Sequence, residues 1–307
     1  MPGFVARKPE VAMMLIAGTI PNKDLPLTMG QVSLEGEFLV ANGRRFVCTQ
    51  GTGAMITAAL ATTNYLNIEA PHVLVVGDIG GISDKGTREL YQYLIDKVGG
   101  LLPKVLALHY CLPIMPLMEK LCQAIDKCSR RPFMIADAGA MYAAKGAGLA
   151  RKFDIFTPDV TEMGFLADPE AAHPAYAARH LFDCEPEKIP ELIAAAYKNN
   201  NAAKLLVVKG KIDHVASEGK ILARIDEPDI PELEAIGGTG DTITGIVSAL
   251  VFAGYKPHEA AIVAAKANRM AGKFARATPA TKVKQIIDQF PAVFKEYLSQ
   301  WTEGAGE

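Results

Sequence analysis

The chain has 307 residues, half of them hydrophobic, with 7% aromatic residues and 27 glycines, enough to bury a large core and suited to a sheet covered by alanine-rich helices. Lys and Arg number 32 against 34 Asp and Glu, a net charge of −2 with no basic patch, which excludes nucleic acid as a main partner while leaving room for a local anion pocket. Nowhere do 18 apolar residues run uninterrupted, and the opening Met-Pro-Gly-Phe-Val-Ala-Arg-Lys has no long apolar stretch behind it, so neither a membrane span nor a leader is expected.

Residues 1–46 are the least legible. A buried strand is expected over 11–16, and two short strands over 35–42 and 44–48 turned at Asn42-Gly43. Thr49-Gln50-Gly51-Thr52-Gly53 leads into an Ala/Thr-rich helix over 54–65, a glycine turn that suits a ligand or close packing equally. From here strands and helices alternate. Strands are expected over 72–76, 104–108, 132–136, 154–156 and 203–208, with helices over 85–97, 115–127, 143–152, 162–167 and 187–199. A hairpin over 214–225 turns at Gly219. Helices close the chain from Ile246, over 257–276 and near 283–298, with a frayed tail from Thr302. Continuous apolar strands separated by helices imply right-handed βαβ units on one mostly parallel sheet, read as a single domain over 1–307.

The five cysteines (48, 111, 122, 128, 184) are odd in number and lack CxxC spacing. They read as reduced thiols of a cytoplasmic protein rather than as a disulfide frame or zinc site. The histidines are scattered, without metal or triad spacing.

The most informative stretch is Ala235-Ile-Gly-Gly-Thr-Gly-Asp-Thr-Ile-Thr-Gly245, which opens an apolar helical run. Its glycines permit a tight turn, and loop amides together with a helix N-terminus favour an anion. Asp241 beside such an anion suits a base that takes a proton from an attacking hydroxyl; the alternative is a helix cap. In open parallel sheets ligands lie beyond the carboxyl ends of the strands. Gly77-Asp78, Asp137, Thr157-Pro158-Asp159 and Lys209-Gly210 all fall at such ends. Asp159 and Glu162, three apart, suit a Mg²⁺ site through water, or else cap a helix. Lys209 reaches phosphate or sits solvated; Asp137 binds ligand hydroxyls or caps the next turn.

Gly237-Gly-Thr-Gly-Asp-Thr-Ile-Thr-Gly245 resembles the signature of the ribokinase-like superfamily, and the closest resemblance is to the ADP/ATP-dependent NAD(P)H-hydrate dehydratases, often described as carbohydrate kinases. Val75-Val-Gly-Asp-Ile-Gly80, Asp137-Ala-Gly-Ala140, Thr157 to Glu162 and Lys209-Gly210 resemble further family elements in the same order, over 70–300. The resemblance implies a three-layer α/β/α sandwich and an enzyme that uses ATP or ADP, with Mg²⁺, to phosphorylate the hydroxyl of hydrated NADH or NADPH, which then leaves as phosphate. It assigns anion-binding amides to Gly238, Thr239 and Gly240, acid/base work to Asp241, nucleotide phosphates to Lys209, the metal to Glu162 with Asp159, and the substrate side to Asp137, Gly77 and Asp78. Asp159 and Thr161 stand where the dehydratases usually carry His and Gly, and Asp78 where a Gly-Pro-Gly turn has proline. Asp159-x-x-Glu162 instead approaches an element of the superfamily's kinases, so a kinase of a small alcohol is the alternative, and a nucleotide-binding regulator the non-enzymatic one. Residues 1–48 match nothing in the family pattern. Self-association is compatible with the alanine-rich surfaces.

Overall fold

The computed structural model describes residues 12–78, 84–171 and 186–303. Cys184, the Ile79-Gly80-Gly81 part of the strand-end turn, Val11 and the last tail residues lie outside them.

Eleven strands among the described residues form one sheet: β1 (Met14–Ile20), β2 (Thr28–Glu35), β3 (Phe38–Ala41), β4 (Arg44–Val47), β5 (His72–Gly77), β6 (Val105–His109), β7 (Phe133–Ala136), β8 (Ile155–Phe156), β9 (Leu205–Val208), β10 (Asp213–Ser217) and β11 (Lys220–Ile225). Their order is β11-β10-β9-β8-β7-β6-β1-β5-β2-β3-β4. Six neighbours, β5-β1-β6-β7-β8-β9, run parallel, with antiparallel strands flanking them at both edges. The parallel strands bear continuous apolar runs because both faces are covered.

The helices are α1 (Gly51–Tyr65), α2 (Lys85–Leu101), α3 (Met115–Asp126), α4 (Ala138–Gly146), α5 (Val160–Ala167), α6 (Ile189–Lys198), α7 (Thr239–Ala253), α8 (Pro257–Phe274), α9 (Val283–Ile287) and α10 (Phe290–Glu303). Alternation along β1 sends Met14 and Ile16 into one core with α1 and α7–α10, and Leu15 and Ala17 into the other with α2–α6. Two cores on one sheet make the expected three-layer sandwich. The mostly parallel sheet agrees with the alternation read from sequence.

The front segment, unplaced by sequence, supplies the centre. β1 lies between β5 and β6, pairing Ile16 with Val73 and with Ala107. Strand β2 was not expected at all. The turns at Asn42-Gly43 and Glu218-Gly219 occur as read, each with positive φ at both residues. Helix α4 begins at Ala138 rather than 143, since the Asp137 side chain accepts from the Ala138 N–H directly at the strand end. The closing helix is two, α9 and α10, and Thr302 is still helical.

Helices α1 and α7 approach closely. A Cβ on Gly245 would lie 2.2 Å from the Met55 carbonyl oxygen, so this glycine of the signature serves packing between the two helices. That contact fixes the start of α7 against the start of α1.

Candidate active site

Strands β5 to β9 end on one edge of the sheet, and their last residues or successors are Gly77, His109, Asp137, Thr157 and Lys209. The N-terminus of α7 points at the same edge. Gly238 caps it at φ 102°, a left-handed conformation open to glycine, and a Cβ there would meet the Gln50 Cα at 3.0 Å. The first amides of an α-helix have no carbonyl four residues back, so they are donors for an outside acceptor. The Thr239 amide is turned towards the Ile236 carbonyl (3.4 Å), and its hydroxyl donates to the carbonyls of Leu233 and Ile236. This hydrogen-bonded turn sets the direction of the amides that follow.

The first turn of α7 divides its residues between two cavities. One, of about 360 Å³, is lined by Thr239, Gly240, Lys209, Lys211, Arg269 and Asp159 among others. The other, of about 450 Å³, is lined by Gly238, Asp241, Thr19, Gln50, Asp78 and Tyr110 among others. Asp241 and Gly238 thus face one side, and Gly240 and Lys209 the other.

Asp241 does not cap its own helix. Its Oδ2 accepts from the Gly51 N–H (2.8 Å) at the start of α1, and its Oδ1 lies 3.0 Å from His109 Nε2. The Gly51 turn therefore meets the signature loop, a partnership 190 residues apart in sequence. Asp137 is 1% exposed and fully engaged: Oδ1 accepts from Ala138 N–H and Lys209 Nζ, and Oδ2 from Lys209 Nζ and the Thr244 hydroxyl. It both caps α4 and pairs with Lys209, and it lines neither of the two cavities just described. Lys209 lines the first cavity while holding Asp137 at 2.9 Å.

Burial would push the Asp137 carboxyl up, but Lys209 and His109 beside it hold it well below the usual range. Burial likewise opposes the Lys209 charge, and Asp137 outweighs it, raising the ammonium pKa. His109, fully buried, would be lowered by desolvation, yet its hydrogen bonds to Asp137 and Asp241 raise it to about 9. Sequence reading missed this histidine. The only signal was its position, the last residue of an apolar parallel strand.

Gly77 and Asp78 come to the same edge by another route. A Cβ on Gly77 would lie 1.9 Å from the Asn22 carbonyl oxygen, so backbone packing requires glycine there. The Asp78 carboxylate accepts from both the amide and the hydroxyl of Thr87 in α2, and Asp78 also lines the second cavity. Arg269, on α8 and unforeseen, is 6% exposed; it binds Asp213 (2.8 Å) and the carbonyls of Gly210 and Lys211, bracing the loop after Lys209.

Asp159 and Glu162 form a capping box: Asp159 Oδ1 accepts from the Glu162 amide and Glu162 Oε2 from the Asp159 amide. The structural alternative for this pair is thus present. Burial, with Asp137 and Asp159 nearby, pushes the Glu162 carboxyl up to about 8. The two carboxylates offer only hard oxygen donors, the donor type that Mg²⁺ takes.

Four cysteines of the described residues, 48, 111, 122 and 128, are free thiols. No helix among the described residues is long and apolar enough to cross a membrane.

The sandwich, with a glycine-started helix aimed at the strand ends, defines the ribokinase-like class of enzymes. The chain belongs within it to the carbohydrate-kinase family described as NAD(P)H-hydrate dehydratase, which it matches over residues 102–291. It is 38% identical over 244 residues to an uncharacterized protein of Methanocaldococcus jannaschii, covering 80% of this chain and 100% of that one. It is 27% identical over 192 residues to the bifunctional NAD(P)H-hydrate repair enzyme of Pyrobaculum aerophilum, covering 60% of this chain but 35% of that longer protein. Among solved structures, the ADP/ATP-dependent NAD(P)H-hydrate dehydratase of Bacillus subtilis superposes with a TM-score of 0.57 at 16% identity, over 94% of this chain and 93% of that one. A mutant phosphofructokinase-2 of Escherichia coli superposes at 0.54 and 14% identity, over 92% and 99%. At such identities the superpositions show the shared fold.

Proposed function

We propose that the protein is a nucleotide-dependent NAD(P)H-hydrate dehydratase, working at one site in which a nucleotide and a hydroxyl-bearing substrate meet across the first turn of α7. The observation that carries this reading is the division of that turn: Gly240 and Lys209 line one cavity, Asp241 and Gly238 the other. A phosphoryl group transferred between them passes the helix N-terminus, where amide donors and the helix dipole offset its negative charge.

The substrate hydroxyl lies against Asp241, which takes its proton as the oxygen attacks the terminal phosphorus of ATP or ADP. The new O–P bond forms as the bond to the bridging oxygen breaks, leaving its electron pair on the departing nucleotide. In the hydrate, phosphate then leaves with the C–O pair and a neighbouring C–H proton is lost, restoring the ring double bond. The Gly240 amide and the Lys209 ammonium bind the nucleotide phosphates and the Gly238 amide faces the transferred phosphoryl from the other side, while the Thr239 amide, turned to the Ile236 carbonyl, holds the turn between them. Asp137 holds Lys209 in place rather than touching substrate, a role that its burial favours over direct binding. Asp78 and Gly77 shape the substrate side. Glu162 and Asp159 would hold Mg²⁺, which supplies charge neutralisation at the phosphates when bound. Residues 1–307 are read as one domain, and a cytoplasmic setting accords with the free thiols.

The test is incubation with hydrated NADH or NADPH and either ADP or ATP. Regained dihydronicotinamide absorbance with release of inorganic phosphate is expected. Hydrate left intact with both nucleotides sinks the substrate assignment. A stable phosphorylated product from a small alcohol instead identifies the kinase alternative, motivated by Asp159-x-x-Glu162.

A further inference from the structure

His109 belongs to none of the roles assigned above, yet it occupies the centre of the site. It ends β6 with no exposed surface, and its ring makes contacts on both nitrogens. Nε2 lies 3.0 Å from Asp241 Oδ1 and 3.6 Å from Asp137 Oδ2, while Nδ1 lies 2.9 Å from the Thr52 hydroxyl. The backbone is fitted to it too: a Cβ on Gly18 of β1 would lie 2.3 Å from the His109 carbonyl oxygen and 2.9 Å from the Thr52 side chain.

We propose that His109 is the positioning residue of Asp241, holding one carboxylate oxygen from β6 while the Gly51 amide holds the other from α1, so that the carboxylate cannot turn away from the second cavity. This proposal rests on the reading of Asp241 as the base. An aspartate on the first turn of a helix has rotamers that point elsewhere, and two donors from two different elements select one. A carboxylate accepts and does not donate when ionised, so Nε2 carries the proton. Thr52, which both donates and accepts, leaves the Nδ1 proton free to come or go. The charged neighbours facing the ring are Asp241 from α7 and Asp137 beyond β7, with Lys209 after β9 on the far side of Asp137. Tyr110 packs edge-on against the ring at 4.5 Å, and Cys111 donates towards the His109 carbonyl. With His109 protonated, two cations and two carboxylates alternate from the substrate cavity to the nucleotide cavity. Its hydrogen bonds to the two carboxylates hold the imidazole charged well above the ordinary histidine range despite burial. A ring that is already protonated at neutral pH steers Asp241 without competing for the substrate proton.

The experiment compares His109→Ala, His109→Gln and Asp241→Asn in turnover, ADP affinity, melting temperature and histidine nitrogen NMR. Loss of one positioning contact is expected to lower kcat by roughly tenfold to a hundredfold in His109→Ala. Partial recovery is expected in His109→Gln or on adding imidazole, with KM and ADP affinity nearly unchanged. In the wild type the His109 resonance stays that of a protonated ring above neutral pH, and titrates lower in Asp241→Asn. If His109→Ala keeps full kcat while Asp241→Asn does not, the positioning role is wrong and the base assignment stands. If kcat falls only together with ADP affinity and melting temperature, His109 is a packing residue and the proposal fails. Unchanged turnover in Asp241→Asn removes the base itself, and the His109 proposal falls with it. Should His109→Ala not fold, His109→Gln and the NMR titration decide.

Discussion

Two sides of one helical turn differ more than their shared backbone suggests. On the proposed nucleotide side Lys209, Lys211 and Arg269 line the cavity together with Asp159, Asp213, Asp229 and Glu234, with Lys209 and Arg269 each tied to a buried aspartate. On the substrate side, Asp78 and Asp241 are the charged residues among the described lining. Among the described lining, side-chain cations belong to the first cavity alone, so that side offers charge to transferring phosphates and the other offers carboxylates to a hydroxyl. The helix N-terminus serves both sides, and the side chains decide which ligand goes where.

The largest expected effect breaks the substrate side alone. Asp241→Asn keeps an acceptor for the Gly51 amide but loses basicity, so kcat should fall about 10²-fold or more with nucleotide affinity retained. Calorimetry with ADP beside a turnover assay checks both halves. Lys209→Met breaks the other side. It removes the ammonium that lines the first cavity and leaves Asp137 buried without its main partner, so a stability loss of about 3 kcal/mol is expected along with weaker ADP binding. Denaturant unfolding separates the two: equal stability with weaker ADP would mean that Asp137 finds another partner.

The turn itself is tested by Gly245→Ala. The added methyl meets the Met55 carbonyl oxygen at 2.2 Å, so α7 must shift from α1, costing about 1–3 kcal/mol and lowering kcat by displacing Asp241 from Gly51. The gentlest probe is pH. His109 titrates near 9 in the folded protein against 6.5 unfolded, so its contribution is fully present below 6.5 and disappears as pH rises through about 9. Melting temperature should therefore decline across that window in the wild type, and less steeply in His109→Gln.

What sequence could and could not disclose follows from range. The signature loop, the strand ends and the helices are local patterns, written in glycine spacing and apolar period, and the alternation from β5 onward was legible for that reason. β1 was not placed, because an apolar segment before a hairpin does not say which strands it separates; only pairing with β5 and β6 does. The site divides the same way. Asp241 and Lys209 stood in recognisable runs, whereas His109 has significance only through Asp241, 132 residues on. Asp137 had two readings, a ligand contact or a cap of the next turn, and the structure shows the cap, joined to a pair with Lys209 that no local pattern discloses. Asp159 and Glu162 form the capping box that one of their two readings expected, and a role at a cation belongs to the proposal alone.

A crystal structure with ADP, Mg²⁺ and an NADPH-type ligand tests the division of the α7 turn most directly. The account predicts the ADP phosphates beside Lys209 and Gly240, and the second ligand's reactive ring within hydrogen-bonding reach of Asp241. Phosphates seated against Asp241, or both ligands on one side of the helix, would contradict it.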